Sequence, residues 1–332
     1  MRGYPLVLAL LLAAGILLGA ACSAGGTRAA TTTAPPPRLL FGLGPEADSA
    51  GRSALVRGTP VRMLTSWFNG ASDLRWMSTW RSTVILPAYR RGYALHLVVW
   101  DGGSEGPLET PHGPACGRAY ALSSKFLEDM RVLARTFAGR PRNTLYVTLF
   151  AEFQTYPCRD NAWAPDAETT AYYETLKDQY RAALQIFHDE APNALVSLGW
   201  GGWQAAWTNI STGGGRAMFP HFADVMRLSG FQSFQSLNAT YAVRDAKAMT
   251  SALAPYGPVM LAFYKPAGST PAERQTRLET FLSPTTLSAL QRRGLFALSF
   301  MDTTYLQNPD SLKIVESAVG QFACRRCSLP RR

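Results

Sequence analysis

Three carboxylates in this chain stand where an apolar run stops. Thr144-Leu-Tyr-Val-Thr-Leu-Phe-Ala-Glu152 is a β-branched and aromatic stretch that ends on Glu152. Leu295-Phe-Ala-Leu-Ser-Phe-Met-Asp302 ends on Asp302, and Ala94-Leu-His-Leu-Val-Val-Trp-Asp101 ends on Asp101. A carboxyl at the exit of a buried strand is partly desolvated, which favours its protonated form, whereas one in a polar setting stays ionised. Two such groups facing one space can divide the work of proton donor and of base or nucleophile. Each acid also has a structural reading. Glu152 can pair with Arg159, Asp101 can cap the Gly-Gly turn that follows it, and Asp302 can cap the loop at Thr303-Thr304.

The residues at similar exits are aromatic or carry amides. Trp67 and Asn69 close one run and Trp100 another; Trp200, Trp203 and Trp207 close a third, Gln235 and Asn238 a fourth, Tyr264 and Lys265 a fifth. Five of the eight tryptophans fall at such places, at 67, 100, 200, 203 and 207. Indole stacks on the apolar face of a sugar ring while carboxylates and amides bond its hydroxyls, so this mixture suits sugars better than phosphates or apolar ligands. Some of the five must simply seal the fold. The four histidines, His96, His112, His188 and His221, show no metal-ligand spacing, and neither a metal nor another cofactor is expected. Gly213-Gly-Gly-Arg216 lacks the Lys-Ser/Thr of a phosphate-binding loop and reads as a flexible loop.

Eight strand-like runs carry these residues: 39–44, 61–68, 94–101, 144–152, 194–203, 231–238, 258–265 and 295–302. Helical periods lie between them, for example Lys125–Phe137, Ala171–Glu190 and Asp310–Ala323. Eight runs apolar on both faces, alternating with helices, are the pattern of one α/β domain, a (β/α)₈ barrel over residues 39–323. In such a barrel the loops after the strands open on one mouth, where the chemistry collects.

Glu152 at the end of the fourth strand resembles the acid/base of the large clan of (β/α)₈ glycoside hydrolases that includes cellulases and mannanases. The resemblance implies a Glu proton donor on strand 4 and a Glu nucleophile on strand 7. The chain departs from that pattern twice. Ala151 stands where the clan often has Asn, and strand 7 ends Phe263-Tyr264-Lys265-Pro266 without a carboxylate. Hydrolysis of a glycoside generally needs two carboxylates, so the partner is sought at Asp101 or Asp302, with Tyr264 a third candidate. A separation of roughly 5–5.5 Å gives retention and roughly 6.5–9.5 Å inversion, and a partner across the mouth suits the wider gap.

The N-terminal stretch Met1–Ala21 has one Arg, an apolar run and a small-residue exit, the pattern of a secretory signal. Leu18-Gly-Ala-Ala-Cys22 resembles a bacterial lipobox, which implies lipidation of Cys22. Residues 22–38, rich in Gly, Ala, Thr and Pro, read as a tether, and 324–332 as a short tail. Four further cysteines in an oxidising compartment suggest the disulfides Cys116–Cys158 and Cys324–Cys327. The composition, 47% hydrophobic and 17% charged, is that of a globular protein. The net charge of +10 is scattered and Arg-biased, and an exported chain of this kind is not expected to bind nucleic acid. The expected protein is thus an exported monomer, either secreted or lipid-anchored on the outer side of the membrane. It is expected to hydrolyse an extracellular or cell-envelope polysaccharide. The alternative is a carbohydrate-binding lipoprotein on a barrel whose catalytic pair has decayed.

Overall fold

A computed structural model of the chain describes residues 38–44, 58, 61–100, 109–110, 113–114, 124–155 and 162–324. The expectations for the signal, Cys22 and the tether lie outside these residues. So do Asp101, Arg159, Cys116, Cys158 and Cys327.

All eight runs become strands: β1 (Leu40–Leu43), β2 (Met63–Phe68), β3 (Ala94–Val99), β4 (Leu145–Leu149), β5 (Ala194–Trp200), β6 (Gln232–Leu237), β7 (Val259–Lys265) and β8 (Leu295–Phe300). Neighbours pair in parallel and β8 returns to β1, so the sheet closes into a barrel with no open edge. Burial explains why these segments are continuously apolar. β4 is buried at every position, its alternate side chains facing the barrel interior and the surrounding helices.

The helices are α1 (Leu74–Met77), α2 (Leu86–Arg90), α3 (Ser124–Phe137), α4 (Ala167–Glu190), α5 (Phe219–Leu228), α6 (Ala242–Leu253), α7 (Pro271–Leu282), α8 (Pro284–Arg292) and α9 (Pro309–Phe322). Several start on caps visible in the sequence. The Asp166 carboxylate accepts from Thr169 N–H at 2.8 Å to open α4. Thr270 and Glu273 form a capping box at α7. A π-helical turn, Arg81–Ile85, separates α1 from α2.

The two ends of the barrel domain meet below β1. Leu39 bridges Ala323, and Cys324 N–H donates to Leu39 C=O at 2.8 Å. Both ends therefore lie at the face opposite the strand exits. Cys324 is disulfide-bonded.

The barrel interior is layered along its axis. At the bottom, Tyr146, Phe231 and Phe296 meet with ring centroids 5.4–6.2 Å apart. Above them lies a belt of hydroxyls around one imidazole. Thr65 Oγ1 lies 3.2 Å from His96 Nδ1 and 2.7 Å from Ser299 Oγ, while His96 Nε2 lies 3.0 Å from Thr148 Oγ1. Thr148 and Ser197 each donate to Ser233. Full burial pushes the His96 pKa from 6.5 down to about 3, so the ring is neutral and serves as a core hydrogen-bonding group. The belt forms the floor of the mouth.

Candidate active site

The exit of β4 is not a continuation of the strand. Phe150 and Glu152 take left-handed backbone, φ 56° and 62°. That region costs a non-glycine residue on the order of 1–3 kcal/mol and persists only where neighbours hold it. Here Glu152 N–H donates to Gly199 C=O at 2.8 Å, and Glu152 C=O accepts from Thr155 N–H and Oγ1–H at 2.9 and 2.7 Å. Gly199 is required: a Cβ there would stand 2.8 Å from Ala151 Cα. The turn thus curls over β5 and carries the Glu152 side chain into the mouth.

Burial raises the pKa of the half-buried Glu152 carboxyl, and a hydrogen bond from the Gln235 amide works against that rise. Gln235 is itself buried on β6, with its Oε1 unpartnered. Across the barrel, two residues past β8, Asp302 lines the same cavity. Partial burial opposes its ionisation, but hydrogen bonds from Thr304 and Lys265 and the charge of Lys265 outweigh burial and lower its pKa. Oδ1 accepts from Thr304 N–H and Oγ1–H at 3.0 and 2.6 Å, and Oδ2 is 3.1 Å from Lys265 Nζ. The loop-capping reading of Asp302 is therefore realised, and Asp302 carries an ion pair besides.

The cavity encloses about 710 Å³. Trp67, Asn69 and Trp100 line it, together with Trp76, Trp80, Phe263, Met301 and Leu237. Trp67 stands edge-on to Phe263 with centroids 4.6 Å apart. Asn69 is fixed by Asp73, whose Oδ2 accepts from its backbone N–H and its Nδ2–H at 2.8 and 3.1 Å.

Two expected sugar contacts belong elsewhere. Trp200 is wholly buried, its ring 4.7 Å from both Phe153 and Phe219. Tyr264 stacks on Phe281 of α7 at 4.2 Å, and burial drives its phenol pKa upward. Both side chains face the helices, because successive strand residues alternate sides. Gly199 and Phe263 take the inward positions beside them. Tyr264 accordingly faces away from the cavity. Trp203 is half-buried and does not line the cavity. Gly213-Gly-Gly, expected to be a flexible loop, instead pairs Gly214–Gly215 with Thr208–Asn209 as a short antiparallel ribbon. Gly215, at φ 59°, lies so close to Trp207 C=O that a Cβ would stand 1.4 Å from it.

Trp76 and Trp80 are not among the residues expected at the mouth. Their signal was present: two tryptophans four residues apart, directly after the β2 exit.

No protein-family profile matches the chain, and no curated protein matches it. Solved structures do. An endo-1,4-β-mannanase from Rhizomucor miehei aligns over 83% of this chain and 90% of its own at 12% identity, with a TM-score of 0.53. A GH5_18 protein from Streptomyces cattleya, solved with GlcNAc, aligns over 90% of this chain and 82% of its own at 14% identity and a TM-score of 0.57. An exo-β-1,4-mannosidase from an Opitutaceae bacterium aligns over 86% and 60% at 10% identity, with a TM-score of 0.52. At such identities the likeness concerns the fold: this chain is built on the (β/α)₈ barrel that these glycoside hydrolases share.

Proposed function

We propose that the protein is a glycoside hydrolase acting on an extracellular or cell-envelope polysaccharide, with Glu152 as proton donor and Asp302 as second carboxylate. The observation that carries this reading is the divergence of the two acids around one tryptophan-lined cavity. Glu152 is pushed towards its protonated form and Asp302 is held ionised. Opposed shifts of this kind assign acid and base roles. Glu152 gives its proton to the leaving oxygen as the glycosidic bond breaks. Asp302 takes a proton from the water that bonds to the anomeric carbon. β4 and β8 stand opposite each other in the ring of strands, which favours the wide separation of an inverting pair. Lys265 keeps Asp302 charged while the substrate excludes solvent. The test is incubation of the purified protein with a panel of plant and bacterial wall glycans. Product masses identify the bond cleaved, and NMR of the first anomer released reads the stereochemistry. Release of the retained anomer would transfer Asp302 from base to nucleophile.

One observation favours a second reading, a carbohydrate-binding protein without turnover: strand β7 ends on Lys265, and that lysine ties down Asp302. Glycan binding with no release of reducing ends by the wild type would establish it. We further propose that the protein is exported and lipid-anchored through Cys22, a reading supported by the leader composition. Incorporation of a fatty-acid analogue that persists in Cys22→Ala would refute the anchor.

A further inference from the structure

Trp76 is 46% exposed although it forms part of the cavity wall, whereas the large side chains of the core are nearly all inaccessible. A single exposed indole is ordinary, but Trp76 is continuous with Trp80, Trp67 and Trp100 on one cavity wall, and a contiguous apolar patch of that kind marks a ligand groove. Trp80 lies one helical turn further on and on the same face, its ring 4.8 Å from that of Trp76. Trp80 leans in turn on Phe137 of α3 at 6.3 Å. The π-helical turn Arg81–Ile85 begins immediately after Trp80. Such turns are rare and concentrate at functional sites, because the extra residue re-aims the side chains around it. Arg81 pins this turn to the end of α3, donating from Nη1 to Arg135 C=O and to Ala138 C=O, the latter at 3.1 Å. Trp76 is therefore presented on a fixed support and loses little freedom when it is covered.

What covers it follows from the rest of the wall. Glu152, Asp302 and Asn69 share the cavity, and an acyl chain laid over them would strip their water without replacing it. A sugar chain offers hydroxyls to those groups and ring faces to the indoles. Trp100, just past β3, stands on the strand next to the one that delivers Glu152; Trp67 on β2 is one strand further round, and Trp76 extends this line onto α1. A space of about 710 Å³ holds more than one hexose.

We propose that Trp76, buttressed by Trp80, is an outer stacking surface for a sugar ring beyond those at the carboxylates. The substrate class is then a glycan chain of several consecutive rings rather than a single sugar on a small aglycone. This inference rests on the mouth being a glycan site. The test measures binding of the whole chain carrying Glu152→Gln, so that nothing is hydrolysed. The probes are β-1,4-linked manno- and cello-oligosaccharides from disaccharide to hexasaccharide, with neutral lipid vesicles as the competing arm. Affinity is expected to rise with length, and adding Trp76→Ala is expected to abolish that rise, a loss of about tenfold at the hexasaccharide. Adding Trp76→Phe is expected to restore part of it, with the melting temperature unchanged in both. A length-dependent rise that survives Trp76→Ala overturns the platform and leaves the hydrolase reading standing. Vesicle binding that Trp76→Ala removes, with glycan affinity intact, assigns the surface to lipid and overturns it too. Absence of glycan binding at every length in the parent overturns both readings together.

Discussion

Lys265 Nζ stands 3.1 Å from Asp302 Oδ2, so the strand that carries a nucleophilic acid in the clan this barrel resembles carries here a cation paired with Asp302. The pair joins the last residue of β7 to the loop after β8. It acts on chemistry more than on stability: both side chains are partly solvated, and exposed pairs contribute only about 0–1 kcal/mol. Together with the Thr304 hydrogen bond, the pair holds Asp302 ionised.

Lys265→Met should therefore shift the acid limb of the pH–rate profile. With Lys265 present, Asp302 has a lowered pKa and stays ionised to lower pH. Without it the pKa rises, and activity is lost at a higher pH as the medium is acidified. Profiles of kcat/KM for the two proteins that overlay on the acid side would remove Asp302 from the mechanism.

In the proposed mechanism Glu152 governs the opposite limb: as proton donor it acts protonated, so activity should fall as pH rises through its raised pKa. Glu152→Gln should lose about 10²–10⁴-fold on substrates with poor leaving groups, while keeping its fold and much of its sugar affinity. Gln235→Ala removes the hydrogen bond that favours the charged form, so the basic limb should move to higher pH. An unmoved basic limb in Gln235→Ala would break the link between the two residues.

His96 supplies a stability test with a defined direction. Unfolded, the ring takes up a proton near 6.5; folded, it refuses one until about 3. The unfolded state thus binds more protons between these values, and stability is fully present above 6.5 and falls as pH drops towards 3. At about 1.4 kcal/mol per pH unit, acidification to pH 4 should cost on the order of 3 kcal/mol. Urea unfolding of wild type and His96→Gln at pH 7 and at pH 4 reads the difference. Equal losses in the two proteins would place the acid sensitivity in other groups.

Trp200→Ala should damage the fold instead of the site. Its ring sits among Phe153, Phe219 and Phe222, and truncating a buried tryptophan costs about 3–5 kcal/mol. Trp67→Ala, in the cavity wall, should weaken sugar binding with a much smaller change in melting temperature. Calorimetry of both variants with and without ligand separates the effects; a reversed pattern would return Trp200 to the mouth.

The chain's pattern of apolar runs and helical periods by itself determined the architecture. Each run had to be buried on two faces, and a parallel barrel sheathed in helices satisfies all eight together. The same pattern placed Glu152 and Asp302 at strand exits, because position within a run is local information. What only the tertiary structure decided is which way each exit residue faces and what stands across from it. Trp200 and Tyr264 end their strands as surely as Trp67 does, yet one step of pleat sends them into the helix layer. Lys265 meets Asp302, and Gln235 meets Glu152, only because the barrel closes. Trp76 and Trp80 join the cavity only because the helical segment after β2 folds over the mouth. Burial and hydrogen bonding between residues far apart in the chain set the divergent pKa values of the two acids, and those relations exist only once the strands are brought together.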